Sequence, residues 1–576
     1  MPQCSNSWCK STFELFPEDR ELFRQFDVPE PTMCPDCRHQ RRAAFQISLV
    51  LFERKSALSG EPILTLYRPN KPYAVYSIDE WWSDAWDPLN YGREYDFSRP
   101  FFEQFAALFS AVPKMATFNE GCENCEYCAS AGSAKDCYYC RTVHRSQNCY
   151  FSEMVTGYNE NLCDCLRCQR SGKLYECILC INCHQSAYLL RCTQTHDSYF
   201  STDLRGCSNC LFCHNLRNKS YYVENKPVSK EEFKARKAEL QDGCHSTLEK
   251  NLKKFGEVYS ATIWQDLTNT NCENCVGDGL VNSADCYQCF NCFNCQNARY
   301  CWMLTPSERC VSAVDITRGG IGELLYNCTG LGGGNYFMRM CSQCRKCSEM
   351  TYCIDCYHSK NCFGCAGMKS GNHCILNKQY TEEEYEDLVP RIIAQMQKTP
   401  LRSFGATEGQ TPLRSPSGSF AGYEWGIFFP PSIAPFPYND SLGQVYFPLS
   451  KKDAETRGFQ WEEPLEQKLK GNTRREPLPD CIDDIEDAIC HEVLTCETSG
   501  KQYKIIRQEL AFYRSARSPL PRKHPDVRMQ RRSNMLSAHK LWNRTCGKCG
   551  KDIQTTFAPD RPETVYCEEC YLAEVY

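Results

Sequence analysis

At 576 residues, with 42% hydrophobic residues and a net charge of −5, the chain is long enough for several cored domains, and its charge argues against a bulk nucleic-acid coat without excluding local basic patches. The opening stretch, MPQCSNSWCKSTFELF, has no apolar run and predicts no signal peptide; no stretch of about 18 apolar residues predicts a membrane span. The departure from ordinary composition is the 45 cysteines. Without an export signal a reducing, cytoplasmic compartment is expected, where disulfides are disfavoured. Most cysteines stand in C-x2-C steps, which let two thiolates of one turn reach the same ion, so metal thiolate is the first reading and disulfide a distant second, with room for some free cysteines as small buried hydrophobes.

From the N-terminus, Cys4-x4-Cys9 and Cys34-x2-Cys37 make two knuckles with a closed four-thiolate zinc spacing. Arg38, Arg41 and Arg42 follow, on one face of an expected helix. Trp81, Trp82 and Trp86 in WWSDAWDP either line a pocket or belong to an ordinary core.

Residues 122–374 hold 34 of the cysteines and read as two copies of one repeat. CENC at 122–125 returns at 272–275, and DCYYC at 136–140 returns as DCYQC at 285–289. Both copies run into a helix whose capping box is Ser229 with Glu232 or Thr381 with Glu384. A finer period of nine links Cys344, Cys353 and Cys362, and also Cys347, Cys356, Cys365 and Cys374. It recurs in the first copy at Cys128/Cys137, Cys140/Cys149, Cys168/Cys177 and Cys183/Cys192. Two nonapeptides per turn predict a β-roll-like solenoid with turns stacked about 4.8 Å apart. Cys344 and Cys347 would then lie over Cys362 and Cys365; the rival pairs them with Cys353 and Cys356. These knuckles, with Cys122/Cys125, Cys137/Cys140, Cys207/Cys210, Cys272/Cys275 and Cys286/Cys289, are further candidate metal ligands, against a ladder of buried thiols without metal. Cys149 and Cys328 stand more isolated. CYQCFNCFNC at 286–295 approaches a ferredoxin spacing, but the last gap is two residues and no proline follows, so an iron–sulfur cluster is not expected. His144, His184, His196 and His214 read as closed ligands rather than bases, and GGIGELL and GLGGGN as turns.

Residues 401–418 read as a linker and 423–449 as an aromatic, proline-rich strap over another domain. At the C-terminus, Cys546-x2-Cys549 and Cys567-x2-Cys570 flank a hairpin pattern, a zinc ribbon. Sliding the chain by about 490 positions lays 56–80 on 546–570: Gly60, Pro69, Pro72, Val75 and Tyr76 match, while Ser56, Ser59, Ser77 and Glu80 stand where the cysteines stand. Upstream, Cys34 and Cys37 fall on His524 and Val527, yet the arginines persist as Arg528, Arg531 and Arg532. One two-part module is therefore present twice, with metal expected at Cys4/Cys9/Cys34/Cys37 and at Cys546/Cys549/Cys567/Cys570, and none at Ser56/Ser59/Ser77/Glu80 or Cys496/His524. Two readings stand for the arginines: solvent-facing contacts to RNA or DNA phosphates, or pairing with the chain's own carboxylates.

The segment CSNSWCKSTFELFPEDRELFRQFDVPEPTMCPDCRHQRR resembles the bacterial probable zinc-ribbon family, a treble-clef-like module, with Cys4, Cys9, Cys34 and Cys37 at its ligand positions and x4 in place of x2 in the first knuckle. More broadly, WWSDAWDPLNYG, FSRPFFEQF, PLPRKHPD and the closing ribbon resemble an uncharacterised Cys-rich bacterial family sometimes labelled CaiB/BaiF, the name of a CoA-transferase family. An acyl-CoA transferase would need long α/β alternation and a placed carboxylate nucleophile, and neither is visible. The fold expected is multidomain and mainly β with short helices: zinc-ribbon or treble-clef modules at both ends flanking a β-solenoid-like middle. Its segments are 1–115, 116–242, 243–400, 401–475 and 476–576. The function expected is that of a non-catalytic protein binding two or more zinc ions, with nucleic acid as partner, or alternatively a protein-interaction scaffold.

Overall fold

A computed structural model describes residues 1–576 apart from 49, 153–154, 164–171, 176–185, 291, 293, 299–309, 314–321, 328, 330–333, 402–421, 466–468, 470 and 536–538. Cys168, Cys177, Cys183, His184, Cys328 and nearly all of the expected linker lie outside the described residues. Among the described residues, 12 helices accompany many short strands in small sheets. The chain forms two compact units, Met1–Thr117 with Thr268–Glu463, and Phe118–Leu267 with Pro464–Tyr576. Each joins one terminal module to one Cys-rich segment.

In the first unit, helices Pro17–Gln25 and Pro35–Ala43 precede the hairpin Phe52–Lys55/Pro62–Thr65. Strand Val75–Tyr76 then pairs in parallel with Lys114–Met115. Helix Phe101–Ala111 buries Phe101, Phe102, Phe105, Leu108 and Phe109, a stripe at helical spacing. Pro100 at its N-cap offers no side-chain hydrogen bond, and the buried Glu424 carboxylate accepts from the Phe101 and Phe102 amides instead, at 3.0 and 3.1 Å. The segment expected as a strap is packed here: Trp425, Phe428, Phe429 and Phe436 are buried, and Phe429 meets Phe105 at 4.8 Å between ring centres. Each such ring contributes about 1.5–3 kcal/mol by leaving water. Trp81 and Trp86 are core residues, their indole N–H groups bonded to Pro113 and Trp81 carbonyls, while Trp82 is exposed.

The Cys-rich part of this unit contains an eight-stranded sheet in sequence order from Cys295–Ala298 to Lys378–Gln379, parallel up to a closing antiparallel hairpin. GELL, expected in a turn, is one of its strands, Gly322–Leu325. Its later strands step by 12 residues: Ser348 pairs with Lys360, Met350 with Cys362, and Cys362 with Cys374; earlier, Cys295 pairs with Cys310 and Gly322 with Asn335, steps of 15 and 13. In the second unit, Ala187 pairs with Tyr199, Tyr199 with Leu211, and Ser208 with Ser220. The rings of Tyr188, Phe200 and Phe212 stack on that same step, with centres 4.5 and 5.3 Å apart.

A triplet underlies the step. Every third residue takes a left-handed backbone, as at Gln194, Asp197, Phe200, Asp203, Gly206 and Asn209 (φ +47° to +63°). The residue after each such corner points inward: Cys207, Cys210 and Cys213 are at most 1% exposed. Asparagine and aspartate tolerate this conformation, and their amides bond along the stack, as from Asn124 to Asp136 at 3.0 Å. Four triplets make one rung, and the interior has room for Cys, Ser, Ala, Thr, Met and Leu. Both segments close alike: the amides of Asn225 and Asn377 donate to the Cys213 and Cys365 sulfurs at 3.4 Å. Helices Lys230–Leu240 and Glu382–Met396 follow; the expected capping box forms at Thr381 with Glu384, while at the first helix only the Ser229 hydroxyl caps, accepting from the Glu232 amide.

This register corrects the expected stacking. Ser342 bridges to Ile354 and Arg345 to Tyr357, so Cys344 lies beside Cys356, not over Cys362. The nine-residue spacing has a different origin. A thiol donates its proton to the carbonyl nine residues on, which belongs to the next rung but one side earlier; Cys344 reaches Cys353 at 3.6 Å and Cys347 reaches Cys356 at 3.4 Å.

The second unit carries the other module: hairpin Glu492–Thr495/Gln502–Tyr503, helices Arg507–Ser515 and Pro525–Met535, and hairpin Trp542–Thr545/Asp552–Thr555. Its last strand, Thr564–Tyr566, pairs in parallel with Ile263–Gln265. The duplication extends to detail. Phe52 pairs with Thr65 as Trp542 pairs with Thr555, and the buried Asp19 and Glu509 each accept from the N-cap amide of their helix.

Candidate metal centres

Cys4 and Cys9 flank a tight turn closed by the Cys4 amide on the Ser11 carbonyl at 2.9 Å. Cys34 is the N-cap of helix Pro35–Ala43 and Cys37 lies in its first turn, where the helix dipole favours thiolate. The C-terminal ribbon repeats the plan. The Cys546 amide reaches Lys551 at 2.8 Å, Gly550 takes the left-handed turn (φ +74°), and Cys567 caps helix Glu568–Val575 with Cys570 in its first turn. In each group of four, the sulfur atoms lie within 4.8 Å of one another. Cys9 and Cys34 sulfurs are 3.7 Å apart, Cys549 and Cys567 sulfurs 3.8 Å. Amides of Cys34 and Cys567 donate to the Cys4 and Cys546 sulfurs, both at 3.3 Å. Hydrogen bonds from Cys34 and Cys37 hold the Cys4 thiol down to about 2, and Cys37 is pushed up to about 12, so one sulfur carries charge at its neighbours' expense. Burial opposes ionisation of Cys546, but the amides of Cys549, Cys567 and Lys548 outweigh it and hold that thiol at about 6.

The two duplicates without this cysteine set are closed differently. Ser56, Ser59 and Ser77 hydrogen-bond the Glu80 carboxylate, and the Ser77 amide reaches it at 2.9 Å. Burial raises the Glu80 pKa, but these donors outweigh it and bring it to about 2. In the other copy, Cys496 keeps the knuckle bond to Lys501 at 2.9 Å and accepts from the Ser499 amide at 3.4 Å, while His524 accepts from the Asp526 amide at 3.1 Å. Burial lowers the His524 pKa.

The structure overturns the solvent-facing arginines. Arg38, Arg42, Arg528 and Arg532 are at most 3% exposed, Arg41 is 7% exposed, and Arg531 is half-buried. Arg528 lies over the Phe151 ring at 4.8 Å and donates to the Tyr513 hydroxyl; Arg41 donates to the Phe428 carbonyl. These helices turn their basic face inward because aromatic segments from distant parts of the chain cover it. Burial lowers the Arg41 pKa to about 10, while the charges of Cys37 and Cys4 oppose the drop.

Among the described residues, three or more metal-ligating side chains converge within 4.8 Å at one further place, Cys244, Asp480 and Cys481. Against the expected scarcity of disulfides, Cys244 and Cys481 are disulfide-bonded across an antiparallel bridge, 237 residues apart in sequence. Cys122, Cys125, Cys137, Cys140, Cys207, Cys210, Cys272, Cys275, Cys286, Cys289, Cys344, Cys347, Cys353, Cys356, Cys362 and Cys365 are not gathered into such a group. Their sulfurs meet backbone carbonyls, as Cys289 meets Tyr287 at 3.5 Å and Cys356 meets Cys365 at 3.6 Å. Sequence reading also missed a cavity of about 240 Å³ lined by Tyr199, Lys237, Asp242 and Arg517, which two remote segments build. Among the described residues, no helix is long and apolar enough to cross a membrane. No family model, curated protein or solved structure matches the chain significantly.

Proposed function

We propose that the protein is a non-catalytic zinc-binding scaffold, in which two structural zinc ions fix the terminal modules and thiol-cored β-solenoids form stiff, protein-binding middles. The observation that carries this reading is the pair of four-thiolate groups. Their 3.7 and 3.8 Å separations match the edge of a tetrahedron drawn at a zinc–sulfur distance of 2.3 Å, about 3.8 Å. Amides on the sulfurs and a closed donor set are what a structural site requires. The solenoid reading draws its support from the 12-residue register and the inward triplets. The scaffold is preferred over a nucleic-acid binder because the arginines that suggested phosphate contact are buried. Native mass spectrometry with elemental analysis tests the core of it: two zinc ions per chain are expected, and iron, or a chain that folds fully without metal, overturns it.

A further inference from the structure

We propose that the thiol-lined interiors of the two ladders take up a soft monovalent d10 ion, Cu(I) being the biological case, held between neighbouring sulfurs. This goes beyond the zinc reading and does not rest on it. The interior donors are buried cysteines in both ladders, joined in the one that begins at Cys272 by the fully buried Met338, Met350 and Met368; soft thiolate and thioether donors select Cu(I). Zinc asks for four convergent donors, and among the described residues these ladders gather no such group. They offer sulfurs packed in one continuous buried cluster along a side and between rungs, with Cys341, Cys344, Cys353, Cys356, Cys362 and Cys365 among its members. Contacts of this kind suit an ion satisfied by two sulfurs.

The exchange balances. Each Cu(I) displaces one thiol proton to solvent, forming one copper–thiolate unit, and a thiolate shared by two ions gives each ion two sulfurs. No electron moves and the buried charge is unchanged, so burial does not oppose loading. Nor is a carbonyl orphaned. The Cys353 carbonyl that receives the Cys344 thiol also receives the Ser342 amide at 2.9 Å, and the Cys356 carbonyl receives the Arg345 amide at 3.0 Å. Each ladder also has a mouth: in the CENC of its first rung, Cys122 and Cys125, or Cys272 and Cys275, are half-buried, whereas the described cysteines of later rungs are buried. Cys122 and Cys125 pack against the buried cluster that contains Cys128, Cys137 and Cys140, which joins the mouth to the column behind it.

The test is anaerobic titration of the full-length, zinc-loaded protein with Cu(I) bicinchoninate, with zinc measured in parallel. We expect more than two Cu(I) per chain to leave the competitor while zinc stays bound, with the luminescence of water-shielded copper–thiolate. Replacing both Cys353 and Cys356 by Ser should lower the capacity. Serine already occupies inward positions at Ser146, Ser198 and Ser359, so the fold should persist, as circular dichroism and the zinc count will report. Should that pair fail to fold, Cys122→Ser with Cys125→Ser, at the half-buried mouth, must slow uptake. Copper bound only in step with zinc released, no competition with bicinchoninate, or ladder and mouth variants that both behave as wild type would each overturn the proposal.

Discussion

The two ribbons, at 56–80 and 546–570, share hairpin register, glycine turn and helix start, yet one gathers four sulfurs and the other three hydroxyls and a carboxylate. The comparison teaches that the knuckle fold needs something that joins its two turns, and that a set of four sulfurs able to hold an ion is one of two solutions in this chain. In the serine copy, Glu80 does the joining: it caps its own helix and receives the hydroxyls of the opposite knuckle. A metal bridge is the stronger but conditional link, because it depends on an ion. The hydrogen-bonded one is weaker and always present, and the ribbon that uses it lies in the unit where helix Phe101–Ala111 and Trp81 supply core packing.

Four experiments press on this contrast. The largest effect is expected from Cys567→Ser. Structural zinc supplies on the order of 10 kcal/mol of apparent folding energy, so residues 542–570 should lose hydrogen-exchange protection while 52–80 keep theirs. Equal loss in both ribbons would break the comparison. Grafting cysteine at Ser56, Ser59, Ser77 and Glu80 should next create a third zinc site, raising the zinc count from the proposed two to about three per chain. A chain that binds no additional zinc would show that the serine ribbon has lost the geometry as well as the ligands. Third, Arg532→Glu should destabilise the second unit by about 3 kcal/mol or more, since it reverses a buried charge. Denaturant unfolding measures it, and an unchanged midpoint would contradict the inward-facing helix.

The smallest effect is expected at Glu80. Glu80→Gln should cost about 1 kcal/mol by weakening the cap. The Glu80 carboxyl is depressed in the fold to about 2 from an ordinary 4.5, so its stabilisation is present above the ordinary value and is lost as pH falls from about 4.5 towards 2. Acid titration followed by exchange in residues 56–80 should show that window in the wild type and not in the variant.

The ligand sets and the duplication are legible in the sequence because knuckle turns demand fixed residue types: Cys at set spacing, Gly60 and Gly550 for the left-handed turn, the same prolines between. The rung length is not, because its corners accept Asn, Asp, Gln, Tyr or Phe and its inward positions accept any small side chain, so no single letter recurs every three residues. Cysteine marked only some inward sites and favoured the spacing of nine, which is a rung less one side. The buried arginines misled for another reason. A basic run carries no sign of what will cover it, and Phe151 and Phe428 arrive from hundreds of residues away. The Cys244–Cys481 pair, 237 residues apart, was hidden in the same way.

The 12-residue register also sets rules for how such a chain can change length. Adding 12 residues inserts one whole storey, about 4.8 Å tall, and leaves every later side chain in its own column. Other changes have to be absorbed where they arise, as a loop, a bulge or a glycine turn. Cys295 pairs with Cys310, three residues beyond the step, and Gly322 with Asn335, one beyond it. Thr270 pairs with Val281, one short of it, where Gly277 and Gly279 both take positive φ. The step of 12 is restored further on, as from Gly277 to Cys289 and from Ser348 to Lys360. The ladder therefore grows and shrinks by the storey and confines every other change to one place, so two segments that end in the same asparagine-capped turn can differ in height.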